Sequence, residues 1–477
     1  MESTVTISDE LLGQRDAYAL HARPSASLRS TLDDTDVAGA PEAPARPTRT
    51  YQTLLLAAGF LMVFHVIGIN SIYGLFQDVI KLPQEFYTSP DSNIKAAQGQ
   101  DALVSLVGTI GRGLTWSGSI FVNPLMAKFD NLMIITLVGA FVMSMGLFLA
   151  SFSTELWHLY LTQALLYGIG SSLYYFPIMS LTPAYFNRRR GAAMGIVLAG
   201  SGVGGLILSP VVHALLNSVG IRWALRVLAV WNFILGIPVA LVLNRKHTSG
   251  NRIMGSNRVS MALVKRGTFI LQSLGAFLQA AGNMVPTYFL TTYSVSVLGY
   301  SSGTGSLLLA VNTAVNSLAR VGMGVLADYA GRQNTMVLSV ILSGVSVLAL
   351  WLNADRARFL TFIVFYGILA GGYNALLPTT ITEVYGVQNY SSVNSFIYFI
   401  RGLGALFGAP VAGAILGHHK RGTIASTKGM FSGVVSTKMQ YNEVAIFDGA
   451  LLLASGICVA YVRWLDARDK GRWAWRA

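Results

Sequence analysis

Apolar runs long enough to cross the hydrocarbon core of a bilayer, about 20 residues each, recur almost without interruption from Tyr51 onward. Twelve are read, at 51–76, 101–125, 131–152, 157–183, 190–215, 223–243, 267–295, 303–327, 333–352, 359–383, 390–416 and 443–465. Their continuous rather than alternating pattern predicts helices, not the strands of a barrel. Only 12% of the 477 residues are charged and 53% are hydrophobic, too little charge to cover soluble domains of this size. The chain is predicted to be an all-α polytopic membrane protein.

The longest hydrophilic connection inside this region, 244–266, divides the runs six and six. It predicts two six-helix bundles, 51–243 and 267–465, joined by a cytoplasmic linker and flanked by tails at 1–50 and 466–477. A faint repeat agrees with that division, since NPLMAKFDN (123–131) follows span 2 as GVLADYAGRQN (324–334) follows span 8. Two such halves with a site between them at mid-membrane form an alternating-access layout. Residues 1–50 are polar, rich in Ser, Pro, Ala and Asp, and lack an early apolar stretch. They are expected to be a disordered tail rather than a cleaved signal, so that the first span starts insertion.

An even number of spans puts both termini on one side of the membrane. The segments on that side include Arg188, Arg189, Arg190, Arg245, Lys246, Arg252, Arg258, Lys265 and Arg266, and hold about twice the basic residues of the opposite side. Lys420, Arg421, Lys428 and Lys438 crowd one loop of the other side. The excess predicts cytoplasmic termini in an integral membrane protein of the plasma membrane.

Within YFNRRRGAAMGIVLAGSGVGG (185–205), Gly200, Gly202 and Gly205 reproduce the G-x-G-x-x-G spacing of a dinucleotide-binding loop. That chemistry needs a preceding strand and an acidic residue about 20 positions later for the ribose. No Asp or Glu occurs between Glu155 and Asp328, and the glycines lie mid-span. Small residues at helical spacing, Gly191, Gly195, Gly200, Gly204 and Gly205 with Ala192 and Ala199, instead predict close helix packing, and no cofactor is expected. The run Asn187 to Arg190 reads as a cytoplasmic anchor, with gating or anionic headgroup binding as the functional alternative.

These residues resemble a known family. YFNRRRGAAMGIVLAG is similar to the span-5 signature of the monocarboxylate porters within the major facilitator superfamily, at Tyr185, Phe186, Arg188 to Arg190, Gly195, Ala199 and Gly200. GVLADYAGRQN resembles the superfamily's loop after span 8, at Gly324, Asp328, Gly331 and Arg332. The likeness extends from GINSIYGLFQ to GAPVAG and is strongest to the fungal branch, which implies transport of carboxylates, other small metabolites or secondary-metabolite products. It also implies a cavity lined by spans 1, 4, 7 and 10, and a latch at Asp328 and Arg332. The chain departs from the mammalian-type members at Asn70 and Asn316, where those carry Lys and Asp, and retains Arg320. It also lacks their opening signature in RTYQTLLLAAGF.

Arginine inside a span is costly to bury and usually faces a watery cavity. Arg112, Arg320 and Arg401 fall within spans, and their nearest acidic candidates, Asp78, Asp328 and Glu383, lie near span ends. The excess of positive charge predicts an anionic substrate, which guanidinium binds through paired hydrogen bonds. Structural pairing with backbone carbonyls or with those carboxylates is the plain alternative. His65, mid-span, is a candidate proton carrier or a neutral histidine bonded within the bundle. Glu383 is a candidate for the inner gate or for coupling. Asp328 and Arg332 are one turn apart and positioned to pair.

Asn70, Tyr174, Tyr175, Asn283, Tyr288, Asn312, Tyr373 and Asn374 bring amides and phenols into the spans, for substrate atoms or interhelical bonds. Pro177, Pro286, Pro378 and Pro410 mark expected kinks.

Seven scattered histidines, adjacent only at His418 and His419, and a single Cys458 exclude a disulfide framework and supply no metal cluster. No phosphate-binding G-x-x-x-x-G-K-[ST] occurs. The function read from these residues is secondary transport of a small organic anion or metabolite, coupled or not to protons, and not an enzyme activity. Export of a secondary metabolite and a non-transporting nutrient receptor are the alternatives. The expected partners are a small-molecule substrate and the lipid bilayer, with no nucleic acid.

Overall fold

In lipid a helix satisfies its own backbone hydrogen bonds, and every described segment of membrane length is a helix. The computed structural model describes residues 48–81, 101–129, 131–186, 189–243, 260–423 and 430–471. Residues 1–47 of the expected tail at 1–50, 244–259 of the expected linker at 244–266, 472–477 of the expected C-terminal tail, Asn187, Arg188, and the side chains of Asp78, His418, His419, Lys420, Arg421 and Lys428 lie outside the described residues.

Eight described helices are long and apolar enough to cross a membrane. Two of these differ from the sequence expectation, because Arg190–Val242 and Arg356–Leu416 each run through two predicted spans. The reason is a single non-helical glycine in each, Gly220 (φ 76°, ψ 171°) and Gly386 (φ 78°, ψ 159°), which turns the chain without a loop. Positive φ of this kind costs an L side chain about 1–2 kcal/mol and glycine almost nothing.

Counting each such helix as two gives α1 (Arg49–Ser71, continued by Tyr73–Lys81), α2 (Asp101–Ser117 and Ser119–Lys128), α3 (Leu132–Ala150), α4 (Leu156–Tyr185), α5 (190–219) and α6 (221–242). The second half holds α7 (Gly267–Ser296), α8 (Ser302–Ala330), α9 (Arg332–Trp351), α10 (356–385), α11 (387–423) and α12 (Met430–Asp469). α2 is broken at Gly118 and α7 carries Gln272, Gln279 and Asn283, so these two fall outside the apolar set. The prolines named above all lie inside helices. All of these elements belong to one compact unit, Pro47–Ala477.

Glycine decides how closely the helices approach. Gly200 and Gly204 of α5 lie against the carbonyl oxygens of Phe60 and Phe64 in α1, and Gly204 also meets Gly68. In the second half Gly404 and Gly408 of α11 lie against the carbonyls of Phe277 and Ala281 in α7. Both contacts pair glycines four residues apart with carbonyls four residues apart, the same device in each half.

Glycine also lines the seams between halves. Gly191 and Gly195 of α5 face the carbonyls of Gly324 and Arg320 in α8, and Gly402 of α11 faces Gly113 and Ser117 of α2. A Cβ at any of these positions would overlap backbone, which cannot move aside as a side-chain tip can. Overpacking of this sort costs about 1–3 kcal/mol. Gly204→Ala should therefore lower the thermal unfolding midpoint of the purified protein, followed by size-exclusion chromatography after heating. Gly322→Ala, where an added Cβ meets nothing within 4 Å, should leave it in place. Equal midpoints would show that the α1–α5 contact does not limit stability.

Candidate functional site

A cavity of about 140 Å³ lies between the halves, lined from α1, α2, α4, α5, α7, α8, α10 and α11. The spacing along each helix places it from mid-span toward the end opposite Asp328. Arg112, Arg320, Arg401, Asn316 and Asn374 line it, with Asn283, Asn312, Tyr175 and Trp116 beside them. Asn70, His65 and Tyr288 do not.

Each arginine is held by neutral groups. Arg401, 3% exposed, donates to Oδ1 of Asn374, and its guanidinium lies 4.7 Å from the Trp116 ring centre, 5.5 Å from that of Tyr398 and 5.8 Å from that of Tyr373. Such an aromatic cage holds a cation through the negative faces of the rings without neutralising it. Arg320 donates to the Leu198 carbonyl at 2.7 Å and to the Ser201 hydroxyl, both in α5. Arg112 donates to the Asn70 carbonyl and, at 3.1 Å, to Sδ of Met284, and sits 5.5 Å from the Tyr288 ring centre.

No described carboxylate pairs with any of the three, so pairing with the acids at the span ends is not how they are held. Nε of Arg320 and Nε of Arg401 are buried without an acceptor among the described residues. Both guanidiniums line the same cavity. Two cations with unused donors face one cavity, and their paired-donor chemistry matches a carboxylate.

The remaining residues fall into supporting positions. Asn316 and Asn312 donate to the carbonyls of Gly367 (3.1 Å) and Ile363 (2.7 Å), tying α8 to α10 at the cavity wall. Asn70 presents its carbonyl to Arg112 and its amide to Thr115 at 3.5 Å, one layer behind the cavity. Tyr288 is 38% exposed and underlies Arg112 rather than the cavity. His65 is fully buried, its ring 5.2 Å from that of Tyr174 and Nδ1 2.5 Å from the Leu61 carbonyl, while Nε2 has no partner among the described residues.

At the end carrying Asp328, the halves are joined by directional bonds. Asp328 of α8 accepts from the backbone amides of Gly191 (3.0 Å) and Ala192 (2.9 Å), the first turn of α5, where carboxylate favourably meets the positive end of the helix dipole. Arg332 pairs with the same carboxylate at 3.0 Å. Tyr390 of α11 donates to the Met179 carbonyl of α4 at 3.0 Å, Ser119 donates to the Ser395 carbonyl at 2.6 Å, and Ser391 donates to Asn123. Glu383 stays within the second half, where Gln333 donates to it at 3.3 Å and to Asp466 at 2.9 Å.

One acid stands apart from the candidates near span ends: Asp448 of α12 is fully buried, and both its carboxyl oxygens lack a partner among the described residues. The signal was present in the sequence, an Asp within 443–465, but its apolar neighbours conceal it in any window average.

The comparisons agree with this architecture. A solved human organic anion transporter, MFSD10, superposes with a TM-score of 0.61 at 10% identity, over 86% of this chain and 99% of that one, a likeness of fold. The MFS transporter asaE of Aspergillus flavus is 31% identical over 300 residues, 62% of this chain and 67% of that protein. The agnestins efflux protein AgnL12 of Paecilomyces divaricatus is 26% identical over 432 residues, 90% of this chain and 94% of that protein. The sequence model of the Major Facilitator Superfamily matches residues 55–408 and 272–472, so the chain belongs to that superfamily and is a membrane transporter, not an enzyme.

Proposed function

We propose that the protein is a fungal-type monocarboxylate porter that exports a small organic anion, a metabolite bearing a carboxylate or comparable acidic group, across the plasma membrane. The observation that carries this reading is the set of three guanidiniums facing one cavity with no described carboxylate to neutralise them. Arg320 and Arg401 are its anion-binding pair, and Asn316 and Asn374 orient the substrate and the arginines. Arg112 is supported from behind by Asn70 and Tyr288. The efflux name of the Paecilomyces relative supports export as the direction.

The termini are read as cytoplasmic, which makes Asp328, Arg332 and the start of α5 the inner gate, with Glu383 bracing it from its own half. The cavity is then closed from the cytoplasm and placed toward the outer face. Protons are the proposed coupling ion.

Reconstituted into proteoliposomes, the protein should carry labelled benzoate and pyruvate, and exclude benzyl alcohol, the uncharged analogue of the first. A hydrogen bond to a charged group contributes about 1.5–3 kcal/mol, so Arg320→Ala and Arg401→Ala should each cut flux about tenfold or more. Arg320→Lys should retain part of it. Undiminished flux in both alanine variants, or equal transport of the alcohol, would overturn the anion reading.

The gate is tested separately by accessibility. Asp328→Asn removes the charge at the α5 N-terminus and weakens the bond to Arg332, a change of about 1 kcal/mol. In a Cys458→Ser background with Leu198→Cys at the cavity wall, labelling by an impermeant maleimide from the cytoplasmic side should rise about fivefold. Unchanged labelling would mean that Asp328 does not hold this end shut.

A further inference from the structure

A carboxyl group buried in the membrane interior normally has a partner, and Asp448 has none among the described residues. It lies where α12 faces α7 and α10. On α7 it meets Gly282, whose missing side chain leaves room for the carboxyl, since a Cβ there would stand 3.0 Å from Oδ1. On its own helix Leu452, one turn on, packs against the same glycine. On α10, Tyr366 belongs to the same buried cluster as Val444, Ala445 and Leu452, the neighbours of Asp448 on α12. The Tyr366 hydroxyl is buried and also without a partner, and the same residue lines the arginine cavity. No basic side chain among the described residues forms an ion pair with Asp448.

An ionised carboxylate in such surroundings is uncompensated, at a cost of several kcal/mol or more. Something must neutralise it. A metal cation would need several oxygen ligands in a shell, and no group of three or more metal-ligating side chains occurs among the described residues. A proton needs no shell.

We propose that Asp448 is the proton-binding site of this transporter, communicating with the substrate cavity through Tyr366. The inference deepens the transport reading above, because it names where the coupled proton is held. The wall of α10 supplies the link. Tyr366, Ala370 and Asn374 stand at successive turns of one face, all at the cavity, and Asn374 grips Arg401. With Asp448 protonated, the positive cavity keeps its full attraction for an anion. Loss of the proton adds a negative charge behind the same wall and weakens that attraction. Anion and proton therefore bind together, and the acid leaves as a neutral pair driven by its own gradient.

The test uses the full-length protein in lipid nanodiscs and infrared spectroscopy of the carboxylic-acid carbonyl, which needs no knowledge of the natural substrate. The wild type should show a protonated-carboxyl band at neutral pH that disappears as the pH is raised. Asp448→Asn, nearly isosteric and checked for monodispersity, should lack it, and Glu383→Gln should keep it. Tyr366→Phe should retain the band but shift its titration. Added benzoate should move the wild-type titration to higher pH. In proteoliposomes benzoate flux should fall at alkaline pH for the wild type and be flat with pH for Asp448→Asn.

A band that persists in Asp448→Asn, its absence from the wild type, or an unaltered pH profile of flux in Asp448→Asn would overturn the proposal. Failure of benzoate to be carried at all, with the Asp448 band intact, would count against the anion reading and leave the proton site standing.

Discussion

Close contact between glycine and backbone is the constraint on which the rest of the structure depends. Helices in lipid gain nothing from hiding apolar surface from one another, because the lipid is equally apolar, so they associate through dispersion contacts that require close approach. Here that approach is set by carbonyl oxygens seated where a Cβ would be, at Gly200 and Gly204 on α1 and at Gly404 and Gly408 on α7. The same pair recurs in both halves, and it draws α1 to α5 and α7 to α11. The walls of the cavity are the other faces of these helices, so the position of Arg320 opposite Ser201, or of Arg401 beside Trp116, follows from packing made elsewhere.

With the walls fixed, burial dictates the chemistry. The three arginines have taken neutral partners, namely carbonyls, an amide, a thioether and aromatic faces. These satisfy part of their donor capacity and none of their charge. A carboxylate partner in the same place would have filled the site with a permanent ion pair. The aromatic cage around Arg401 keeps the cation in a low-polarity setting while leaving its charge available to a ligand. Asp448 is the converse case, a buried acid that pairs with none of the arginines among the described residues.

Much of this was legible in the sequence, and what was not has physical causes. The helical segments follow from run length, and the small-residue stripe of α5 from its spacing, because both are properties of one segment. Arg112, Arg320 and Arg401 announce themselves by charge in an apolar run. Partners are a different matter. Asp328 is 137 residues from Gly191 and 136 from Ala192, and no local pattern couples them. The i,i+4 pair with Arg332 is readable, whereas the interhelical contacts of Asp328 are not. Asn70, His65 and Tyr288 were placed in the right helices, but the faces they occupy depend on helix rotation, which hydropathy does not specify. Gly220 and Gly386 are not legible as turns, because a glycine that replaces a loop looks like any other glycine in an apolar stretch.

The contrast between the two kinds of contact across the halves bears on how such a protein changes state. Where α5 meets α8 and α2 meets α11, Gly191, Gly195 and Gly402 face backbone, which brings the halves close. Besides the bonds that Arg320 makes to α5 and Arg112 makes to Met284 at the cavity, directional bonds gather at the Asp328 end: the capped amides of α5, Tyr390 on Met179, and the serines that join α2 to α11. Each contributes about 1 kcal/mol, so the set is strong enough to favour one state and weak enough to be exchanged for another. Removing them one at a time lowers the cost of opening that end without disturbing the glycine contacts within each half. Conformational preference and fold stability are therefore held by different residues, as a protein that must rock without unfolding requires.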